Sequence, residues 1–205
     1  IDKQQKIKYD PAPRAPMPKA NFVERTKDIY HPLIEKIFNV YAPKYAERIK
    51  AGDRVYLSGV VYTARDAAHK KIVALINENK PLPFELNNSV IYYAGPTPAK
   101  NKLAIGSIGP TTSSRMDVFT PFLLENGLKG MIGKGPRNQD VIDAIIRNKA
   151  IYFCATGGAG ALASKCITKC DVIAFDDLGC ESVKKLVFDK FPLVVGIDSK
   201  GNSLF

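Results

Sequence analysis

No apolar run in the 205 residues approaches the roughly 18 to 20 needed to cross a bilayer as a helix, which excludes a helical membrane span. The N-terminus is charged and proline-rich, unlike a secretory signal, so the expected setting is a soluble cytoplasmic protein, or a mitochondrial one in a eukaryote. Ile1 in place of Met reads as a processed product or an excised part of something longer. Cysteine is scarce: Cys154, Cys166, Cys170 and Cys180 are the only four, all in the last third. None forms a CxxC pair, and Cys166 and Cys170 are spaced for one face of an amphipathic helix, so packing is the expected role and metal ligation is not. Disulfides are not expected in a reducing compartment. P-loop spacing, dinucleotide GxGxxG spacing and internal repeats are all missing. There is also no extended basic run and no RNA-binding aromatic motif, so nucleic acid is not an expected partner.

What is present is a basic chain, net charge +10, with 45% hydrophobic residues, enough for one sizeable core with an extension. Residues 1–50 carry 11 Lys+Arg against 6 Asp+Glu, so the positive excess is denser there than in the remainder. Such a surface suits anionic small molecules or an acidic partner. Residues 1–22 hold four prolines within eight positions and no hydrophobic period, which predicts an extended arm or linker. Residues 23–50 space Ile29, Leu33, Ile34, Ile37 and Phe38 as a helix would, interrupted by Pro32 and Pro43, and read as a helical lead-in.

From residue 51 to 205 short apolar runs alternate with helical patterns. Strands are expected at 54–63, 89–94, 103–108, 128–132, 150–155, 171–175 and 193–197, and helices at 65–79, 112–125, 138–148 and 159–169. The stretch VKKLVFDKF fits either a helix or an edge strand. This alternation predicts the α/β class with a largely parallel central sheet.

In such sheets ligands gather where strands end and helices begin, because free N–H groups and helix dipoles favour anions. Three junctions qualify. In IGPTTSSRMD, Thr111, Thr112, Ser113 and Ser114 precede Arg115; one hydroxyl would serve as a helix cap, whereas the whole set would suit a carboxylate held by hydroxyls, amides and a guanidinium fork. In MIGKGPRNQD, Lys134 stands between Gly133 and Gly135, either as an ordinary turn residue or as a second cation for the same anion. In VYTARDAAHKK, Arg65 and His69 share a helix face, with His69 a proton carrier or a structural residue. A fourth junction, CATGGAGALAS, is explained by close helix–sheet packing.

Taken in order, GDRVYLSGVVYTARDAAHKK, IYYAGPTP, SIGPTTSSRMD, MIGKG and LVVGIDSKGNSLF resemble the beta subunit or C-terminal domain of iron-sulfur hydro-lyases, class I fumarate hydratase and L-tartrate dehydratase, over roughly residues 50–205. The resemblance implies a swivelling β/β/α domain that supplies half of an active site. The other half, with a 4Fe–4S cluster, would belong to an alpha subunit or domain, and this chain would contribute no metal ligand. Carried onto this sequence, the resemblance makes Arg65, Arg115 and Lys134 binding residues for a dicarboxylate, with Thr112 and Gly135 beside them. Thr111 becomes the proposed base, Arg115 and Lys134 the charges that stabilise it, and His69 an auxiliary. Fumarate hydration is the expected reaction and tartrate dehydration the alternative. A homodimer of alpha–beta units is the expected assembly, inactive without the alpha part. A non-catalytic anion-binding module is the reading from another class.

Overall fold

The computed structural model describes residues 48–99 and 103–205. The arm, almost all of the helical lead-in and residues 100–102 lie outside that set. The described elements are β1 (Arg54–Thr63), α1 (Asp66–Asn77), β2 (Val90–Tyr92), a 3-10 turn (Ser113–Met116), α2 (Thr120–Glu125), β3 (Gly130–Gly133), α3 (Gln139–Asn148), β4 (Ile151–Cys154), α4 (Gly160–Ala163) with a 3-10 turn (Ser164–Cys166), β5 (Ile167–Ala174), a 3-10 segment (Asp176–Glu181) and β6 (Val183–Ile197).

Strands β1 to β4 are mutually parallel neighbours, while β6 runs antiparallel to β4, β5 and β1. Pairing β6 with both β4 and β1 closes the sheet on itself, and β5 hangs on β6 outside the ring. The class is therefore α/β with mostly parallel strand directions, as the sequence predicts, but the closing strand is antiparallel.

Alternation along each strand divides the core in two. Tyr92, Ile132, Phe153, Leu186, Phe188, Phe191 and Val195 point into the ring. Ile91, Tyr93, Met131 and Tyr152 point the other way, against Ala68 and Ile72 of α1, Leu123 and Leu124 of α2, and Val141, Ala144 and Ile145 of α3. Phe188 and Phe191 should face opposite sides, being an odd number of residues apart. A bulge solves this: Leu57 pairs with Phe191 and Gly59 with Phe188, so β6 carries an extra residue. Lys190 sits there at φ +48°, its N–H donating to Ser58 Oγ at 2.9 Å. Both rings then stack inside the ring of strands, centroids 4.3 Å apart.

Three expectations need correction. Residues 103–108 form no strand in the sheet, because β2 is already flanked by β1 and β3 and the closed order leaves no edge beside it; the segment instead pairs locally, with Thr97 N–H donating to Ser107 O at 3.0 Å. The expected helix at 159–169 stops at Cys166. Ile167, Thr168, Val172 and Ile173 are β-branched and open a strand that pairs with the free side of β6, Cys170 opposite Leu186. Cys166 and Cys170 thus share no helix. The expected helix at 112–125 is broken into the 3-10 turn and α2, since Pro121 has no N–H to continue the ladder. The ambiguous VKKLVFDKF lies entirely in β6.

Candidate functional site

The C-terminal ends of β1, β2 and β3 lie side by side, and each delivers part of one cationic edge. Beyond β1, Ala64 N–H still donates to Tyr92 O, at 3.2 Å, and Arg65 follows as the residue before α1. Residues 110–113 run across the neighbouring strand ends. Pro110 bridges to Ala94, Thr111 N–H donates to Tyr93 O at 2.7 Å, Thr112 bridges to Lys134, and Ser113 N–H donates to Lys134 O at 2.9 Å. This crossing places Thr111, Thr112, Arg115, Lys134 and Gly135 on the edge that Arg65 begins.

The hydroxyl cluster does not cap a helix. Thr112, at the capping position, makes no side-chain cap bond. Ser113 instead joins a closed chain of hydrogen bonds: Lys134 N–H donates to Ser113 Oγ at 3.0 Å, Ser113 Oγ and Tyr152 Oη lie 2.9 Å apart, and Tyr152 Oη donates to Gly135 O at 2.8 Å. Burial holds the Tyr152 phenol well above its ordinary pKa, so it stays protonated and able to donate. Gly135 has φ +81° and open space where a side chain would begin, which keeps the turn beside Lys134 uncluttered. Among the described residues the Thr111 hydroxyl and the Lys134 ammonium have no side-chain partner, and Thr112 and Lys134 are exposed.

Both arginines are already oriented by carboxylates. Arg115 is half exposed and turns its Nε and Nη2 edge to Asp66, at 3.0 and 2.8 Å. Arg65 is largely buried, with Nη2 3.2 Å from Glu181 and a buried Nε that finds no acceptor among the described residues. Three cations thus meet two carboxylates, and the surplus charge is positive.

His69 occupies a different position from the others. It is fully buried, between Tyr93 and Phe119, with Nδ1 2.9 Å from Arg65 O. That contact requires a proton on Nδ1, because a carbonyl only accepts. Burial lowers its pKa to about 4, so the ring is neutral near pH 7. It lies beneath the edge and supports the backbone of Arg65.

Two residues central to the site were not singled out in the sequence, Asp117 and Arg137. Asp117 Oδ1 accepts from Arg137 Nε at 2.6 Å and Oδ2 from Asn138 N–H at 2.9 Å, while Arg137 also donates to Thr120 Oγ1 at 2.7 Å and stacks over Tyr93 and Tyr152. This buried strut locks the loop that carries Arg115 to the loop that carries Lys134. Both lie inside the motif stretches, Asp117 closing IGPTTSSRMD and Arg137 following the Gly-Pro of MIGKGPRNQD, and that opposite-charge placement was the available signal. The LVVGIDSKGNSLF motif serves a structural end at the opposite edge, where Asp198 accepts from the N–H groups of Ala51, Lys200 and Asn202.

Among the described residues no three His, Cys, Asp or Glu side chains gather as a metal site. Cys154, Cys166 and Cys170 are partly buried on different elements and Cys180 is exposed on the segment before β6, so they do not fit a cluster-binding set. Nor is any described helix long and apolar enough to cross a membrane.

The family model described as "Fumarase C-terminus" matches residues 16–205, reaching further toward the N-terminus than the motifs do. A Methanocaldococcus jannaschii protein named "Putative L(+)-tartrate dehydratase subunit beta" is 40% identical over 178 residues, 84% of this chain and 91% of the relative. The Escherichia coli L(+)-tartrate dehydratase subunit beta is 34% identical over 76% of this chain and 79% of its own. Fumarate hydratase 2 of Leishmania major is 37% identical over 75% of this chain, yet the match spans only 28% of that longer protein. The chain belongs to the fumarase C-terminal family, whose relatives here are hydro-lyases or their beta subunits.

Proposed function

We propose that this chain is the dicarboxylate-gripping half of a hydro-lyase, acting on fumarate and L-malate. The observation that carries the reading is the convergence of Arg65, Arg115 and Lys134 on one sheet edge with a free threonine hydroxyl among them. Arg65 and Arg115 hold the two carboxylates; the two-point fork of Asp66 keeps Arg115 aimed and the single contact of Glu181 keeps Arg65 aimed. In the dehydration direction the C–H beside a carboxylate loses its proton to Thr111 Oγ, and negative charge spreads into that carboxylate. Lys134 and Arg115 stabilise this charge and the threonine alkoxide, without which a hydroxyl is a poor base. Thr112 and Gly135 shape the floor. The departing hydroxyl leaves on the side this chain does not cover, where an alpha subunit or domain with a 4Fe–4S cluster would supply a Lewis acid. The described residues themselves offer no place for that cluster.

The same reading makes the isolated chain inactive and the working unit a cytoplasmic assembly with the alpha part, paired as a homodimer of alpha–beta units in a swivelling arrangement. One observation favours tartrate as the substrate: the chain covers 91% of a relative named as a tartrate dehydratase beta subunit. Kinetics of the assembled enzyme on L-malate and L(+)-tartrate decide between them. A kcat/KM at least about tenfold higher for malate, a gap of about 1.4 kcal/mol, supports fumarate hydration. The reverse ratio assigns tartrate, and no turnover of either overturns the hydro-lyase reading.

A further inference from the structure

Apart from Glu181, the segment 175–182, FDDLGCES, has no role in the site as described, yet it is fastened to the surrounding fold at three places. Lys71 of α1 pairs with Asp177 at 2.6 Å and lies over the Phe175 ring. Glu181 pairs with Arg65 at 3.2 Å. Lys184, at the start of β6, turns its ammonium back into the segment and donates to Ser182 Oγ at 2.6 Å, Gly179 O at 3.1 Å, Cys180 O at 3.3 Å and Ser182 O at 3.4 Å.

Lys184 is 92% buried; among the described residues the acceptors within hydrogen-bond distance of its ammonium are carbonyl and hydroxyl oxygens, and the Asp176 carboxylate acts on it from outside that shell. Burying an ammonium costs free energy, and only a full set of acceptors offsets it. What the lysine obtains is the shape of the segment. Gly179 sits at φ +57° and ψ −114°, outside the helical region, so the backbone there turns sharply and directs several carbonyls inward. The fold ties the same turn to β1: Thr63 Oγ1 donates to Ser182 O at 3.3 Å and accepts from Lys184 N–H at 3.0 Å, two residues before Arg65. Gly95 completes the contact. A side chain there would come within 3.0 Å of Arg65 Nη1 and 3.2 Å of Cys180 O, so the guanidinium and the turn close over bare backbone.

We infer that Lys184 is a positioning residue: by staking the Gly179–Ser182 turn it fixes Glu181, and Glu181 fixes the Arg65 guanidinium against Gly95 for a substrate carboxylate. The inference rests on Arg65 being one of the two carboxylate clamps. Lys184 does not touch substrate. Its effect therefore passes through Arg65 and disappears when Arg65 is gone.

A double-mutant cycle on the assembled enzyme reads this directly. Lys184→Met keeps the length and removes the donors; Glu181→Gln keeps the fold and removes the charge that orients Arg65. Both are expected to raise KM for the dicarboxylate by about 10- to 100-fold with a smaller loss in kcat, the size that loss of a held geometry brings. In an Arg65→Ala background each should change KM by less than about twofold. Two results overturn the inference alone: an Arg65→Ala defect with parental KM in Lys184→Met and Glu181→Gln, or the same fold-loss with and without Arg65, which marks a general structural role. If Lys184→Met does not assemble, Glu181→Gln completes the cycle under the same criteria. Parental kinetics in Arg65→Ala overturn both this inference and the clamp on which it rests.

Discussion

Arg115 spends one edge of its guanidinium on Asp66 and keeps the other toward solvent. Asp66→Asn keeps the size and one acceptor but loses the charge and the two-point fork. The expected result is a drop in kcat/KM of about 5- to 30-fold, or 1 to 2 kcal/mol, in dicarboxylate turnover by the assembled enzyme. His69 gives a prediction in stability. Its pKa falls from 6.5 in the unfolded chain to about 4 in the core, so between those values the unfolded state binds more protons and stability declines on acidification. The contribution is complete above pH 6.5 and up to about 3 kcal/mol smaller once pH falls through 4. Urea unfolding at pH 7 and pH 5, compared with His69→Gln, isolates it: the parent should lose more stability than the variant over that interval.

At the scale of elements, the site is two loops locked together by the Asp117–Arg137 strut and the Ser113–Tyr152 chain. Arg137→Met leaves Asp117 charged and unpaired in the core, and should cost about 3 to 5 kcal/mol in denaturant unfolding, far more than an exposed pair such as Arg147–Glu125 would. Elements with an unbroken local period were legible in the sequence: β1, α1, β3, α3 and β4 fall where their patterns put them. The Asn138 cap of α3, accepting from Val141 N–H at 3.0 Å, follows the ordinary rule. Elements set by distant partners were not legible. The length of β6 depends on pairing with β1, β4 and β5, and its bulge hides the alternation that would mark it as a strand. The role of Ser113 depends on Tyr152, 39 residues away, so a hydroxyl cluster that looks like a cap locally becomes a loop clasp in the fold. Asp117 and Arg137 were missed for the same reason: each is ordinary until the strand order brings them together.

On the whole molecule, closing the sheet leaves the parallel strand ends as one continuous edge, and the cations on it come from segments far apart in sequence. The proposed mechanism takes its Lewis acid from a second surface, so the test of the central claim belongs to the assembled hydro-lyase. The measurement is kcat/KM on the better of L-malate and L(+)-tartrate for Arg115→Ala and Lys134→Ala, with the iron–sulfur absorption spectrum recorded on the same samples. The expected result is a loss of about 100- to 1000-fold for each variant, the usual cost of removing one charge-stabilising donor, with the spectrum unchanged. Turnover within about twofold of the parent in both variants would contradict the account.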